Sequence, residues 1–213
     1  PLYSSAASDV YKRQELRILR QDELRGSFEA LSKDVLGRVG RLVTKNGPLE
    51  TPHLFPVVNP LIQPMEPREI LDKLGCKALM TNAYLLKKNF GDSVANVGVH
   101  RFLDYDGIIA TDSGAYQILA YGNIEATPLE IARYEENIAS DIAVILDVPT
   151  GFEQDRKHAE YTVKETIRRA DLTLQNLTRR DILWEGPVQG GIHLDLVAES
   201  ARAMAKRPFA IYA

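Results

Sequence analysis

From residue 54 onward the chain alternates short apolar runs with helix-patterned stretches, and no tight hairpin turn joins one run to the next. That order severely limits the possible folds. Strands linked through helices pair in parallel, and a parallel sheet needs both faces covered. The runs fall at 54–58, 78–81, 107–110 (ending at Asp112), 142–146, 187–189 and 209–212. The run at 142–146 is apolar throughout, the mark of a strand buried on both faces. Between the runs, Pro67 opens a short helix, and Thr127 with Glu130 three residues on has capping-box spacing. A long helix from Asp155 places Ala159, Val163, Ile167, Ala170, Leu174 and Leu177 on one face. The next is expected to bury Leu194, Val197, Ala201, Met204 and Ala205. Ahead of this order, 28–31 and 39–44 read as an antiparallel hairpin, with Asn46-Gly47-Pro48 as the boundary to the main fold.

Two architectures satisfy the alternation, an open doubly wound sheet and a (β/α)8 TIM barrel. The Gly-rich phosphate turn of a dinucleotide fold is missing after the first run, which favours the barrel. Extrapolated to eight strands, the spacing gives roughly 280–330 residues, within the barrel range. The expectation is therefore an α/β barrel truncated after about six strands, preceded by a β-hairpin.

Composition narrows the function classes. With 26 Lys+Arg against 29 Asp+Glu, the net charge of −3 gives no basic footprint for a stand-alone nucleic-acid-binding module. An enzyme that gains such affinity from elsewhere stays open. Cys76 is the single cysteine, so neither an intrachain disulfide nor a cysteine-based zinc site can form within this chain. No apolar run approaches the roughly 20 residues of a membrane helix, and no signal-peptide pattern opens the chain. A soluble, reducing, cytoplasmic setting is expected. The opening lacks Met, and its string DVYKRQ resembles the translation of a sequencing-library adapter. Residues 1–14 are thus expected to be a non-native leader, and 15–213 a partial catalytic barrel that stops within an apolar strand.

In either architecture ligands sit beyond the carboxyl ends of the strands. The third run is followed by Asp112, Ser113, Gly114, Tyr116 and Gln117, the fourth by Asp147, the fifth by Gln189, Gly190, Gly191 and His193. Two carboxylates, two amides and an aromatic ring converge on one rim. That set suits a planar heterocycle, stacked on its face and hydrogen-bonded along its edge. The glycines allow close backbone approach to a ligand. Each residue also has an ordinary role: an Asp after a strand forms turns, His193 caps or packs a helix start, and Tyr134, Phe152 and Tyr161 pack. Lys87-Lys88, Arg168-Arg169 and Arg179-Arg180 read as solvated faces. Co-location at three successive strand ends is what the ordinary roles leave unexplained.

The segments TNAYLL, ATDSGAYQ, LDVPTGF and VQGG, in this order, resemble the tRNA-guanine transglycosylases, and TNAYLL leans towards the archaeal, archaeosine-type enzymes. The resemblance runs from about residue 28 to 213. It implies a zinc-containing barrel that exchanges guanine in the tRNA D-arm for the 7-deazaguanine base 7-cyano-7-deazaguanine, through a covalent glycosyl–enzyme intermediate. By motif, Asp112 is the active-site carboxylate. Tyr116 would stack on the base, Asp147 would accept from its N–H edge, Gln189 with Gly190 and Gly191 would help read it, and Ser113 would donate into the pocket. Two carboxylates at one rim should also push their pKa values apart. The family's second essential Asp, its structural zinc ligands and its C-terminal RNA-binding domains would lie beyond Ala213. A homodimer is also implied, with no membrane association.

Two alternatives remain, a catalytically inactive paralogue and another TIM-barrel enzyme. An aldolase would need a Schiff-base Lys at a strand end, and none is there. Asp112 and Asp147 argue against the paralogue.

Overall fold

A computed structural model describes residues 25–117, 125–152 and 155–213, so the expected leader at 1–14 lies outside the described residues. The described residues open with strands β1 (Phe28–Asp34), β2 (Gly37–Thr44) and β3 (Gly47–Thr51), joined as an antiparallel sheet in that order. The expected hairpin is thus present but carries a third strand. Thr44 pairs with Gly47 around a two-residue turn, Lys45-Asn46. What reads as a boundary is a hairpin turn, with Gly47 taking a φ of 111°.

There follow α1 (Pro67–Leu74), β4 (Ala78–Asn82), α2 (Ala83–Phe90), α3 (Asp92–Ala95), α4 (Val99–Phe102) and β5 (Ile108–Asp112). The rest is α5 (Pro128–Asn137), β6 (Ile142–Val144), α6 (Arg156–Asn176), β7 (Leu183–Gly186), α7 (Leu194–Met204) and β8 (Ile211–Tyr212). The expected helix starts are present, with Pro67 at the start of α1, Thr127 heading a capping box at α5 and Asp155 capping α6; Glu66 heads a further capping box at α1. Strands β4 to β8 form one five-stranded parallel sheet in sequence order. A doubly wound sheet would reverse its order, and this one does not.

Alternate residues explain the layers. Leu79, Ile109, Ala143 and Trp184 face the helices, whereas Ala78, Ile108, Ala110, Ile142 and Leu183 face the other way. The second set packs on Leu42 and Leu49 of the three-stranded sheet, which therefore covers that inner face. Both faces are buried, as a parallel sheet requires.

Three expected strands shift. Among the described residues the run at 54–58 makes one parallel bridge, Val57 to Met80, because Pro56 interrupts it and Pro52 and Pro60 flank it, all three lacking a backbone donor. The fifth strand lies at Leu183–Gly186 rather than 187–189: Trp184 fills the outer core and Pro187 ends the ladder. The last pairs only over Ile211–Tyr212. In α7 the buried face is Leu196, Ser200 and Met204, and Leu194 is exposed. Tyr134 packs as expected, whereas Phe152 and Tyr161 are exposed.

Candidate active site

The parallel ladder aligns the strand ends. Asn82 of β4 pairs in register with Asp112 of β5, while β6 and β7 deliver Asp147 and Gln189 a few residues beyond their last pairs. A cleft of about 390 Å³ opens there, lined by Asp112, Tyr116, Asp147, Gln189, Glu185 and Met80 among others. Four of the seven expected site residues thus meet in one concavity. Ser113 does not line it; its side chain is fully buried and its Oγ makes no hydrogen bond among the described residues. Gly190 and Gly191 lie beside the cleft, where their missing side chains serve packing. A Cβ on Gly190 would sit 2.6 Å from the Val197 nitrogen, and one on Gly191 3.0 Å from Thr150 Cγ2. His193 stands at the start of α7 but makes no capping bond with its side chain.

Asp112 is held by Asn82 of the TNAYLL segment, a residue to which the sequence reading gave no role. Asn82 Nδ2 donates to Asp112 Oδ2 at 2.8 Å and to Gln117 Oε1 at 3.1 Å. Its own Oδ1 accepts from the Leu85 N–H as the cap of α2, which fixes the amide's orientation. An Asn at a strand-to-helix junction was a legible cap signal. Asp147 is held by Gln189, whose Nε2 donates to its Oδ2 at 2.6 Å. Gln189 Oε1 accepts in turn from Thr150 N at 2.8 Å and Thr150 Oγ1 at 3.0 Å. Tyr116 is 68% exposed, so its ring is free to cover a ligand.

Glu185, the third carboxylate, was hidden by the misplaced fifth strand. It points to the inner face of β7 and lines the cleft floor. Burial raises the pKa of all three acids. Asp147 is pushed up to about 7, first by burial, with the charges of Asp112 and Glu185 adding to it; a backbone N–H and Arg169 oppose. For Asp112, hydrogen bonds from the Gly114 and Ser113 N–H groups and from Asn82 work against burial. Glu185 is raised by burial and by Asp112. The cleft therefore holds acids that sit closer to neutrality than ordinary carboxyls, the condition for proton transfer near pH 7.

Arg169 and Arg179 leave the solvated faces assigned to them: Arg169 donates to the Asp147 carbonyl at 3.1 Å, and Arg179 pairs with Asp181 and the Glu136 carbonyl. Arg168 does remain at the surface, bound to Glu165.

The profile of the queuine tRNA-ribosyltransferase family matches residues 33–213. Among curated relatives, the tRNA-guanine(15) transglycosylase of Sulfolobus acidocaldarius is 45% identical over 179 residues, covering 83% of this chain and 35% of that protein. Its counterpart in Aeropyrum pernix is 47% identical over 175 residues, 82% of this chain and 34% of the relative. That of Pyrobaculum aerophilum is 44% identical over 188 residues, 88% and 37%. The chain spans about a third of the length of these relatives. A profile match across most of the chain, together with relatives 44–47% identical over more than four fifths of it, leads to one conclusion: the chain belongs to the queuine tRNA-ribosyltransferase (TGT) family.

Proposed function

We propose that this chain supplies the base-exchange pocket of a tRNA-guanine transglycosylase, which replaces a guanine of tRNA by 7-cyano-7-deazaguanine in a (β/α)8 barrel that later strands close. The convergence of Asp112, Tyr116, Asp147 and Gln189 on one cleft carries the reading. Glycosidic cleavage develops positive charge on the ribose, and a carboxylate aimed at it lowers the barrier. Asp112, fixed by Asn82 at the cleft wall, fills that role as nucleophile or as acid and base. A guanine-type base presents two N–H donors on one edge, which an ionised Asp147 accepts while Gln189 holds that carboxyl in place. The exposed ring of Tyr116 stacks on the base.

Zinc does not fit the residues present. Cys76 is the single cysteine, and among the described residues no group of three or more His, Cys, Asp or Glu converges as a metal site. No step here runs through it. Among the described residues no helix is long and apolar enough to cross a membrane. A cytoplasmic homodimer acting on tRNA is part of the same proposal.

The test is an exchange assay on a chimera in which residues 33–213 replace the matching segment of the Sulfolobus acidocaldarius relative. Labelled guanine should enter unmodified tRNA, and Asp112→Ala should cut the rate about 10²-fold or more. Incorporation no higher than in a control lacking enzyme overturns the reading and leaves an inactive paralogue.

A further inference from the structure

The backbone that carries Asp147 is gripped from behind by one face of α6. Thr162, Thr166 and Arg169, at steps of four and three, share that face. Thr162 Oγ1 lies 2.8 Å from Thr150 Oγ1, and Val148 N donates to Thr166 Oγ1 at 3.0 Å. Arg169 Nη1 donates to the Asp147 carbonyl at 3.1 Å and to the Leu146 carbonyl at 3.4 Å. Its Nε donates to Glu165 Oε1 at 2.9 Å, and both side chains are only 17% exposed. An ion pair this shielded is weakly screened by water and salt. Among the described residues, the groups that act on the Asp147 carboxyl are its own backbone N–H, Asp112 from β5, Glu185 from β7, Gln189 from the loop after β7, and Arg169 from α6. Arg169 is the cation of that set.

We infer that Arg169 is a positioning residue for base recognition: it clamps the carbonyls of Leu146 and Asp147 and places a fixed positive charge behind the Asp147 carboxyl, so that this group faces the cleft as an ionised acceptor. Glu165 orients the guanidinium and offsets part of its charge. The inference rests on the reading of Asp147 as the acceptor for the base edge. It adds a pH limit: base affinity falls as Asp147 takes up a proton, and Arg169 sets how low the pH can go before that happens.

The decisive measurement is a carboxyl-carbon NMR titration of this chain, with the Asp147 resonance assigned by its loss in Asp147→Asn. Arg169→Gln should move the Asp147 midpoint upward from about 7 by roughly half a pH unit or more. Arg169→Lys, which keeps the charge, should return it towards the starting value. Glu165→Gln should move it downward. Thr166→Val removes a backbone anchor without touching charge, so it should lower the unfolding temperature and leave the midpoint in place. An unmoved midpoint in Arg169→Gln, or one displaced equally in Arg169→Lys, overturns the inference. Should Arg169→Gln fail to fold, Glu165→Gln decides alone, and a midpoint unmoved or raised overturns it. Guanine titration runs in parallel: affinity in Arg169→Gln should drop about twofold at pH 7 and little at pH 8.5. Failure of the unmutated chain to bind guanine removes the base-pocket reading, while the midpoints still report whether Arg169 acts on Asp147.

Discussion

The two ends of the parallel sheet treat buried acids in opposite ways. At the amino end, Asp141 is fully buried and accepts from the Ile109 N–H at 2.7 Å, with His100 Nε2 at 2.8 Å and Asn46 Nδ2 at 3.3 Å. Lys45, from the β2–β3 turn, stands 3.9 Å away and donates to the carbonyls of Ala139 and Ser140. Burial lowers the Lys45 pKa, and the charges of Asp141 and Asp181 pull it back up. Asp181 is held at about 2, chiefly by its hydrogen bonds with Arg179 and also by the charge of Lys45. At the carboxyl end, Asp112, Asp147 and Glu185 share a cleft with no directly paired cation among the described residues. The first end converts acids into stability. The second keeps them poised, at a cost to stability, which is the usual signature of a working site.

The comparison breaks most visibly at Asp141. Replacing it with Ala leaves the buried Ile109 N–H, His100 and Asn46 without their carboxylate and removes one of the two acids beside Lys45, and should cost about 3–5 kcal/mol in denaturant unfolding. A loss below about 1 kcal/mol would mean that the amino-end network is decoration.

Asp147→Asn should have the reverse effect on the fold. A buried acid raised to about 7 binds its proton more tightly folded than unfolded, so its contribution to stability is greatest at low pH and declines as pH rises through the window from about 4 to 7. The amide removes that penalty, because its oxygen still accepts from Gln189. The variant should gain about 1–3 kcal/mol at pH 8 and nothing at pH 4, while guanine binding weakens by a similar amount. Equal stabilities at both pH values would contradict the assigned burial cost.

The sharpest contrast in sign is Asp181. Its pKa is depressed, so its stabilisation is present above about pH 4 and lost as the pH falls through about 2. Asp181→Asn should therefore lose about 1 kcal/mol at pH 7 and behave like the parent chain at pH 2, because the pair is partly screened by solvent. Thr127→Ala, remote from both ends, should cost about 1 kcal/mol at pH 7 by removing the α5 cap.

Much of the frame was legible because its signals are local. The five-residue apolar run, the capping residues of α5 and α6 and the alternation of strand and helix each report their own segment. The strand-end rule then placed Asp112, Tyr116, Asp147 and Gln189 together, and they line one cleft. The misses share a cause. Trp184 and Glu185 carry no strand signal of their own, because a strand with one large outward residue and one inward acid has no clean apolar period. Arg169 sits beside Arg168 in a pair that looks solvated, yet one helical step of 100° turns it under the Asp147 loop. The Lys45-Asn46 turn gave a hairpin signal next to Gly47, but its partner strand contains Pro48.

The sequence by itself determined the order of the elements, most of their caps, and which strand ends carry acids, amides and a ring, because backbone propensity and side-chain period are set by neighbours along the chain. Only the tertiary structure decided which acids are paired and which are left raised. Desolvation and charge coupling act through space: Asp141 meets Lys45 and His100 across 96 and 41 positions, respectively, counted from their residue numbers, and Asp147 meets Gln189 across 42.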